Sequence, residues 1–151
     1  MQQSTSRLAI EIIERELKEK TGSLIFSDCG LNEIPPEVFK MDWLTELIVT
    51  NGYNQDALRG LKSTNDFPEP NHLTYIPEQI GKFKGLKKLH LGASGTSPWT
   101  ISDVGVLSSL QNLEELDLSN NQIIDISPLS NLANLKSLKL SLNEIRGEIG
   151  P

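Results

Sequence analysis

A leucine pattern that returns every 22 or 23 residues constrains the fold of this chain more than any other feature. Its two most regular copies are Leu113-x-x-Leu116-x-Leu118-x-x-Asn121-x-Ile123 and Leu135-x-x-Leu138-x-Leu140-x-x-Asn143-x-Ile145. A fixed period of this length predicts a solenoid, in which each repeat adds one short strand and stacks on its neighbour. Because alternate side chains of a strand point to the same side, the leucines of stacked repeats form one continuous core.

Three less regular repeats precede these two, and they begin at Leu24, Leu44 and Leu86. About five repeats therefore extend over residues 23–151. The ninth position of each repeat turns the chain, and an Asn there can bond to backbone groups that the bend leaves unpaired. Counted from the leucines, this ladder column contains Cys29, then Asn51 or Gly52, then Ser94, Asn121 and Asn143.

Residues 1–22 carry a different, helical pattern. The apolar positions at helical spacing are Leu8, Ile12, Ile13 and Leu17. A run of Ser and Thr offers N-caps, and Gly22 is the expected end of the segment. Since an end repeat would expose its core to water, we expect an amphipathic capping helix across it. A helix that binds a partner or a membrane surface is the alternative, although its negative charge opposes an anionic bilayer.

The amino-acid composition limits the classes of partner that this chain is expected to bind. The net charge of −6 and the isoelectric point near 4.9 oppose nonspecific binding to nucleic acid, which requires clustered Lys and Arg. One cysteine permits no intramolecular disulfide. The sequence shows no signal peptide, no N-glycosylation sequon and no apolar window of membrane-spanning length. We therefore expect a cytoplasmic protein that binds neither nucleic acid nor membrane.

The polar residues offer no recognisable catalytic constellation. His72 lies in an inserted loop, His90 lies at an exposed strand position, and Cys29 occupies an inward position where a small residue packs. The loop 92–96 is similar to a nucleophile elbow, but Thr96 stands where that motif requires its second glycine. We therefore predict no enzyme activity, no cofactor and no metal, and a hydrolase is a remote alternative.

Two insertions interrupt the repeats, near residues 53–71 and 92–100. Both follow a strand directly, so both leave the same edge of the solenoid, which is often a binding face. Their aromatic residues are Tyr53, Phe67 and Trp99. These side chains are either contact anchors for a partner or a small cluster that holds the long loops in place.

The strand positions between the core leucines predict the exposed, concave face of the sheet. Its central column is Ile25, Ile48, His90, Asp117 and Lys139. Its flanking columns are polar: Ser23, Glu46, Lys88, Glu115 and Ser137 on one side, and Ser27, Thr50, Gly92, Ser119 and Ser141 on the other. The adjacent pair Ile25 and Ile48 is unusual in such a face. Either the N-terminal helix covers it or it forms a contact patch.

Over residues 21–151 the pattern resembles the leucine-rich repeat family. An α/β leucine-rich repeat solenoid, a horseshoe arc with a parallel concave sheet and an N-terminal capping helix, is therefore the expected fold. Residues 26–39, after the amphipathic helix, are similar to the start of bacterial arrays, including those that precede the GTPase part of Roco proteins. That narrower resemblance implies a sensing or scaffolding module. Without a P-loop in the chain, any GTPase would lie beyond Pro151.

The final repeat breaks off at Pro151, so we expect either a fragment or an edge covered by a partner or a second copy. The leading hypothesis is a noncatalytic module that binds a protein or peptide through the concave sheet and the inserted loops. The alternative is the N-terminal regulatory and dimerisation part of a larger signalling enzyme such as a Roco-type GTPase. The predicted partner-binding residues are Ile25, Ile48, Tyr53, Phe67, His90, Trp99, Asp117 and Lys139.

Overall fold

The computed structural model describes residues 5–52, 69–93 and 98–147. One α-helix, α1 (Arg7–Glu19), precedes a five-stranded parallel sheet in which strands neighbour one another in chain order. The strands are β1 (Ser23–Ser27), β2 (Glu46–Thr50), β3 (Lys88–Leu91), β4 (Glu115–Asp117) and β5 (Ser137–Lys139). A 3₁₀ helix follows each of the first four strands, at Pro36–Lys40, Glu78–Lys82, Gly105–Ser109 and Ser127–Asn131. The predicted α/β solenoid with its N-terminal helix is therefore confirmed.

The register of the sheet follows the repeat spacing. The leucine at the second position of every strand pairs with the equivalent leucine of its neighbour, in the order Leu24, Leu47, Leu89, Leu116 and Leu138. The first four of these are at most 1% exposed. They meet buried residues of the 3₁₀ helices, such as Val38 and Ile80, in one continuous core. Each repeat therefore buries its apolar side against its neighbours, as a solenoid requires.

Helix α1 covers the N-terminal end of that core. Ser6 is its N-cap and accepts a hydrogen bond from the N–H of Ala9 at 3.2 Å. The helix ends at Glu19 because Lys20 adopts a left-handed conformation, with φ of 50°. Ala9, Ile12 and Ile13 of α1 are buried in the same core as the strand leucines. An apolar helical face thus replaces the missing preceding repeat.

A buried carboxylate joins α1 to the first two repeats. Glu16 is 3% exposed, and its carboxylate accepts hydrogen bonds from the side chain and N–H of Thr21, the N–H of Gly22 and the indole N–H of Trp43. Burial by itself would raise the pKa of Glu16, but the hydrogen bonds from Thr21, Trp43 and Gly22 bring it below its ordinary value. The folded state therefore favours the charged form of the Glu16 carboxylate.

The ladder column differs from the sequence prediction in two repeats. A recurring backbone hydrogen bond marks it, because the residue after each ladder position donates its N–H to the preceding repeat. The donor–acceptor pairs are His72 and Leu31, Thr100 and Leu73, Gln122 and Ile101, and Glu144 and Ile123. By this register the column is Cys29, Asn71, Trp99, Asn121 and Asn143.

The prediction of Asn51 or Gly52 for the second ladder position is therefore wrong. Asn71 takes that position, and its side-chain oxygen accepts from the N–H groups of Cys29 and Leu31 at 3.1 and 2.9 Å. Its side-chain nitrogen donates to the carbonyls of Phe26 and Thr50 at 3.1 and 2.7 Å. Ser94 lies outside the described residues, and Trp99 holds the position predicted for it.

Candidate functional site

The side of the sheet opposite the core, hereafter the outward face, is the candidate interaction surface. Its central column pairs strand by strand in the order Ile25, Ile48, His90, Asp117 and Lys139. The register thus brings together the five strand residues that the sequence singled out. The first four of them are partly exposed, and Lys139 is exposed.

Ile25 and Ile48 form an apolar pair on β1 and β2. They are register partners, so parallel-strand geometry places their Cα atoms about 5 Å apart. Neither belongs to the buried core of the described residues, whereas Leu24 and Phe26, which flank Ile25, are at most 1% exposed and do. Helix α1 joins the core on the other side of β1 and leaves the pair partly exposed. Of the two readings of this pair, burial under α1 is therefore excluded.

Charged side chains form a network across β2, β3 and β4. The Lys88 ammonium lies 3.2 Å from the Glu46 carboxylate and 3.4 Å from that of Glu115. The Ser23 hydroxyl donates to Glu46 at 2.6 Å. The hydrogen bond to Glu46 is the main cause that raises the pKa of Lys88. Since exposed ion pairs contribute only about 0–1 kcal/mol to stability, the network orders these charges more than it stabilises the fold.

His90 sits between the apolar pair and the acidic side chains of β4. Its Nε2 lies 3.8 Å from the Glu115 carboxylate, too far for a strong hydrogen bond. Partial burial lowers the pKa of His90, and the charge of Lys88 acts in the same direction, although Asp117 and Glu115 oppose it. The lowered pKa favours the neutral form of His90 at pH 7, so His90 adds little positive charge beside Glu115 and Asp117.

One flanking column is less accessible than the sequence predicts. Ser27 is 2% exposed, and its hydroxyl donates to the carbonyl of Gly52 at 2.5 Å. The Gly52 N–H in turn donates to the carboxylate of Asp28 at 2.9 Å. The expectation that Ser27 contributes to the outward face is wrong, because the start of the first insertion folds over it.

The first insertion leaves and re-enters the sheet through a closed neck. The side chain of Asn51 accepts from the N–H of Asn71 at 2.7 Å and donates to its carbonyl at 2.9 Å. The carbonyl of Asn71 also accepts from the indole N–H of Trp99 at 2.8 Å. Residues 51–52 and 69–71 are thus held to one another and to the next repeat, so the insertion begins and ends on fixed points.

The three aromatic candidates have different outcomes. Trp99 is 1% exposed and fills the ladder column, so its side chain cannot reach a partner. Its assignment as a contact anchor is wrong, since its indole N–H is used inside the solenoid, where it donates to the carbonyl of Asn71. The reason is that an indole has both the volume to fill an interior position and one N–H to satisfy there. Tyr53 and Phe67 lie outside the described residues.

The opposite side of the solenoid carries an open groove of about 750 Å³ between the second and third 3₁₀ helices. Tyr75 at its rim is 50% exposed and donates its hydroxyl to Glu33 at 3.1 Å. Gly81 and Gly105 line the groove, and Gly81 allows a close approach of Ser109, whose Oγ would lie only 2.9 Å from a Cβ at that position. Its lining combines polar side chains such as Thr74 and Ser102 with the apolar side chains of Ile76 and Val106.

The chemistry available to the remaining candidates is limited. Burial raises the pKa of the Cys29 thiol to about 12, and the charge of Asp28 adds to this effect, so Cys29 is a protonated packing residue at neutral pH. Across residues 5–52, 69–93 and 98–147, His, Cys, Asp and Glu side chains form no group suited to a metal ion. None of the helices described has the length and apolar character of a membrane span.

Residues 111–149 match the family model described as leucine rich repeats (2 copies). No curated protein matches the chain at a significant level. One similar structure is the leucine-rich repeat ectodomain of the Arabidopsis thaliana receptor kinase GASSHO1/SCHENGEN3, solved in complex with CASPARIAN STRIP INTEGRITY FACTOR 2. The identity is 24%, the TM-score is 0.50, and the match covers 81% of this chain but 16% of that ectodomain.

Two Listeria monocytogenes internalins are also similar. Internalin InlF is 22% identical over 83% of this chain and 43% of its own, with a TM-score of 0.40. Internalin C2 is 18% identical over 95% of this chain and 87% of its own, with a TM-score of 0.46. None of these matches is specific to Roco proteins, so that resemblance stays a prediction. The repeat register, the matched family model and the receptor ectodomain together identify the fold of this chain as a leucine-rich repeat solenoid.

Proposed function

We propose that this chain is a noncatalytic module that binds a protein or peptide partner on the outward face. The observation that carries the proposal is the partly exposed apolar pair Ile25 and Ile48, beside an ordered row of charged side chains. Apolar contact supplies affinity, and charges at fixed positions supply orientation and specificity. The similar ectodomain was solved in complex with CASPARIAN STRIP INTEGRITY FACTOR 2, and this supports a partner of the same general kind for the present chain.

The test compares the two sides of the second repeat. A photo-crosslinking amino acid at position 48 is used to trap a neighbour in the source cells, and the same substitution at Gln79, exposed on the opposite side, is the control. The trapped protein is then purified and its affinity for the whole chain is measured by calorimetry. We expect Ile48→Arg to weaken binding at least about tenfold, as loss of a central contact does, and Gln79→Arg to leave it unchanged. Weakening by Gln79→Arg alone would contradict the proposal.

Self-association through the C-terminal edge is the second candidate. Leu138, Leu142 and Ile145 are 42%, 75% and 39% exposed, and they lie at the edge formed by β5. An apolar edge strand with unpaired backbone groups is a template for pairing with another chain. Sedimentation velocity over a wide concentration range tests this role. A mass that rises with concentration supports it, and a monomer at high concentration contradicts it.

A further inference from the structure

The outward face changes character from one end to the other, and this polarity restricts the partner further. The β1 and β2 positions of the central column are Ile25 and Ile48, whereas the β4 position is Asp117 and the β5 position is Lys139. From β2 to β4 the face holds three carboxylates, those of Glu46, Glu115 and Asp117, and one ammonium, that of Lys88. This part of the face is therefore negative, as is the whole chain at −6.

The three carboxylates differ in whether a cation of the same face already pairs with them. Glu46 and Glu115 share Lys88 between them. Asp117 accepts one backbone hydrogen bond, from the N–H of Ser119 at 3.0 Å, through Oδ1. It has no cation within 4.0 Å among the ion pairs of the described residues. Lys139, its register partner on β5, forms no ion pair with it within that distance. Asp117 therefore has capacity for an additional cationic donor.

The distance between the apolar pair and Asp117 determines how far apart the matching residues of a bound peptide must be. Ile48 and Asp117 lie two strands apart in register, which corresponds to about 10 Å at the usual separation between strands. A peptide that crosses the strands in polyproline II conformation advances about 3.1 Å per residue and returns to the same side every third residue. Positions i and i+3 of such a peptide are therefore about 9 Å apart and both point at the sheet.

We propose that the outward face recognises an extended peptide segment with a bulky apolar residue at one position and Lys or Arg three residues away. The apolar side chain contacts Ile25 and Ile48, and the cation pairs with Asp117. An acidic peptide residue at the same place is disfavoured, because the carboxylate of Asp117 repels it. This inference rests on the proposed function and adds the chemistry of the partner to it.

The test is selection of random dodecapeptides displayed on phage against the whole chain, followed by affinity measurement with synthetic peptides. We expect an enriched apolar-x-x-Lys/Arg pattern. Asp117→Asn keeps the side-chain shape and the acceptor for Ser119, and it should remove the basic preference while the apolar preference remains. For a peptide with the enriched pattern, a loss of about two- to fivefold in affinity is expected from an exposed ion pair.

Ile48→Ser should do the opposite, lowering affinity by about tenfold while the basic preference survives. Glu33→Gln, an exposed carboxylate beyond the sheet, is the matched control and should change neither preference. Enrichment of acidic residues, a different spacing, an unchanged basic preference in Asp117→Asn, or no enrichment would each overturn the inference. The crosslinking test of the outward face reads out a folded partner and stands separately from these peptide outcomes.

Discussion

The same position of the repeat is buried at the N-terminal end of the solenoid and exposed at the C-terminal end. Leu24 in β1 and Leu138 in β5 are equivalent in register, yet they are 1% and 42% exposed. At the N-terminal end, α1 contributes Ile12 and Ile13 to the core, and Glu16 bonds to both of the first two repeats. No helix of the described residues covers β5. The core leucine of a repeat is thus fully buried only where another element packs on both sides of that repeat.

The largest expected effect on stability comes from truncating the equivalent strand leucine at each end. Leu24→Ala deletes a fully buried side chain and should lower the free energy of unfolding by about 2–5 kcal/mol. Leu138→Ala removes a side chain already in contact with water, so we expect a loss below about 1 kcal/mol. Urea unfolding with matched slopes measures both. Equal losses would show that the two ends are equally supported.

A smaller effect is expected from the carboxylate that attaches the helical cap. Glu16→Gln replaces one acceptor oxygen by a donor. That donor faces either the two donors of Thr21 or the N–H groups of Gly22 and Trp43. We expect the free energy of unfolding to fall by about 1–3 kcal/mol, the cost of unsatisfied buried polar groups. Glu14→Gln, exposed on the same helix, is the control and should stay within about 0.5 kcal/mol. Equal free energies of unfolding for the two variants would mean that the helix stabilises the fold through its apolar face alone.

The same carboxylate makes the capped end sensitive to pH. Because the pKa of Glu16 in the folded state is below its ordinary value of 4.5, the unfolded state binds the proton more readily. The stability from Glu16 is complete above that ordinary value and is lost as pH falls through the lowered pKa. Urea midpoints measured from about pH 6 to pH 3 should fall more steeply for the wild type than for Glu16→Gln. Parallel curves would show that Glu16 titrates normally.

The smallest effect on folding is expected at the exposed end. Leu142 is 75% exposed, so Leu142→Ser should change the free energy of unfolding by less than about 0.5 kcal/mol. If the β5 edge joins two copies, the same variant should weaken the dimer seen by sedimentation, because apolar contact is lost there. A large loss of stability in the monomer would mean that Leu142 packs inside the fold.

The strand register is the part of the fold that the sequence predicted best. Leucine spacing placed Ile25, Ile48, His90, Asp117 and Lys139 in one column, and the parallel pairing has that order. Such spacing is reliable because a shift of one residue would turn every core leucine toward water. The sequence predicted the aromatic residues and the ladder less well, since their roles depend on contacts between repeats.

Asn71 and Trp99 show what was missed. Counting forward from a leucine finds the ladder position only in a repeat without an insertion, and both of these residues follow one. Counting backward from Leu73 and Ile101 would have found them, because each stands two residues before the next core position, as Asn121 does before Ile123. A Trp in an asparagine column also has no precedent within the other repeats of this chain.

By itself, the sequence determined the solenoid, its parallel sheet, the register of its strands and the helical segment before them. These features follow from the periodicity of apolar residues, which is local and additive along the chain. Only the tertiary structure decided that Ser27 lies under the neck of the first insertion and that Ile25 and Ile48 remain partly exposed. Burial at these positions depends on which distant segment packs against them, and the spacing of residues along the chain does not predict that contact.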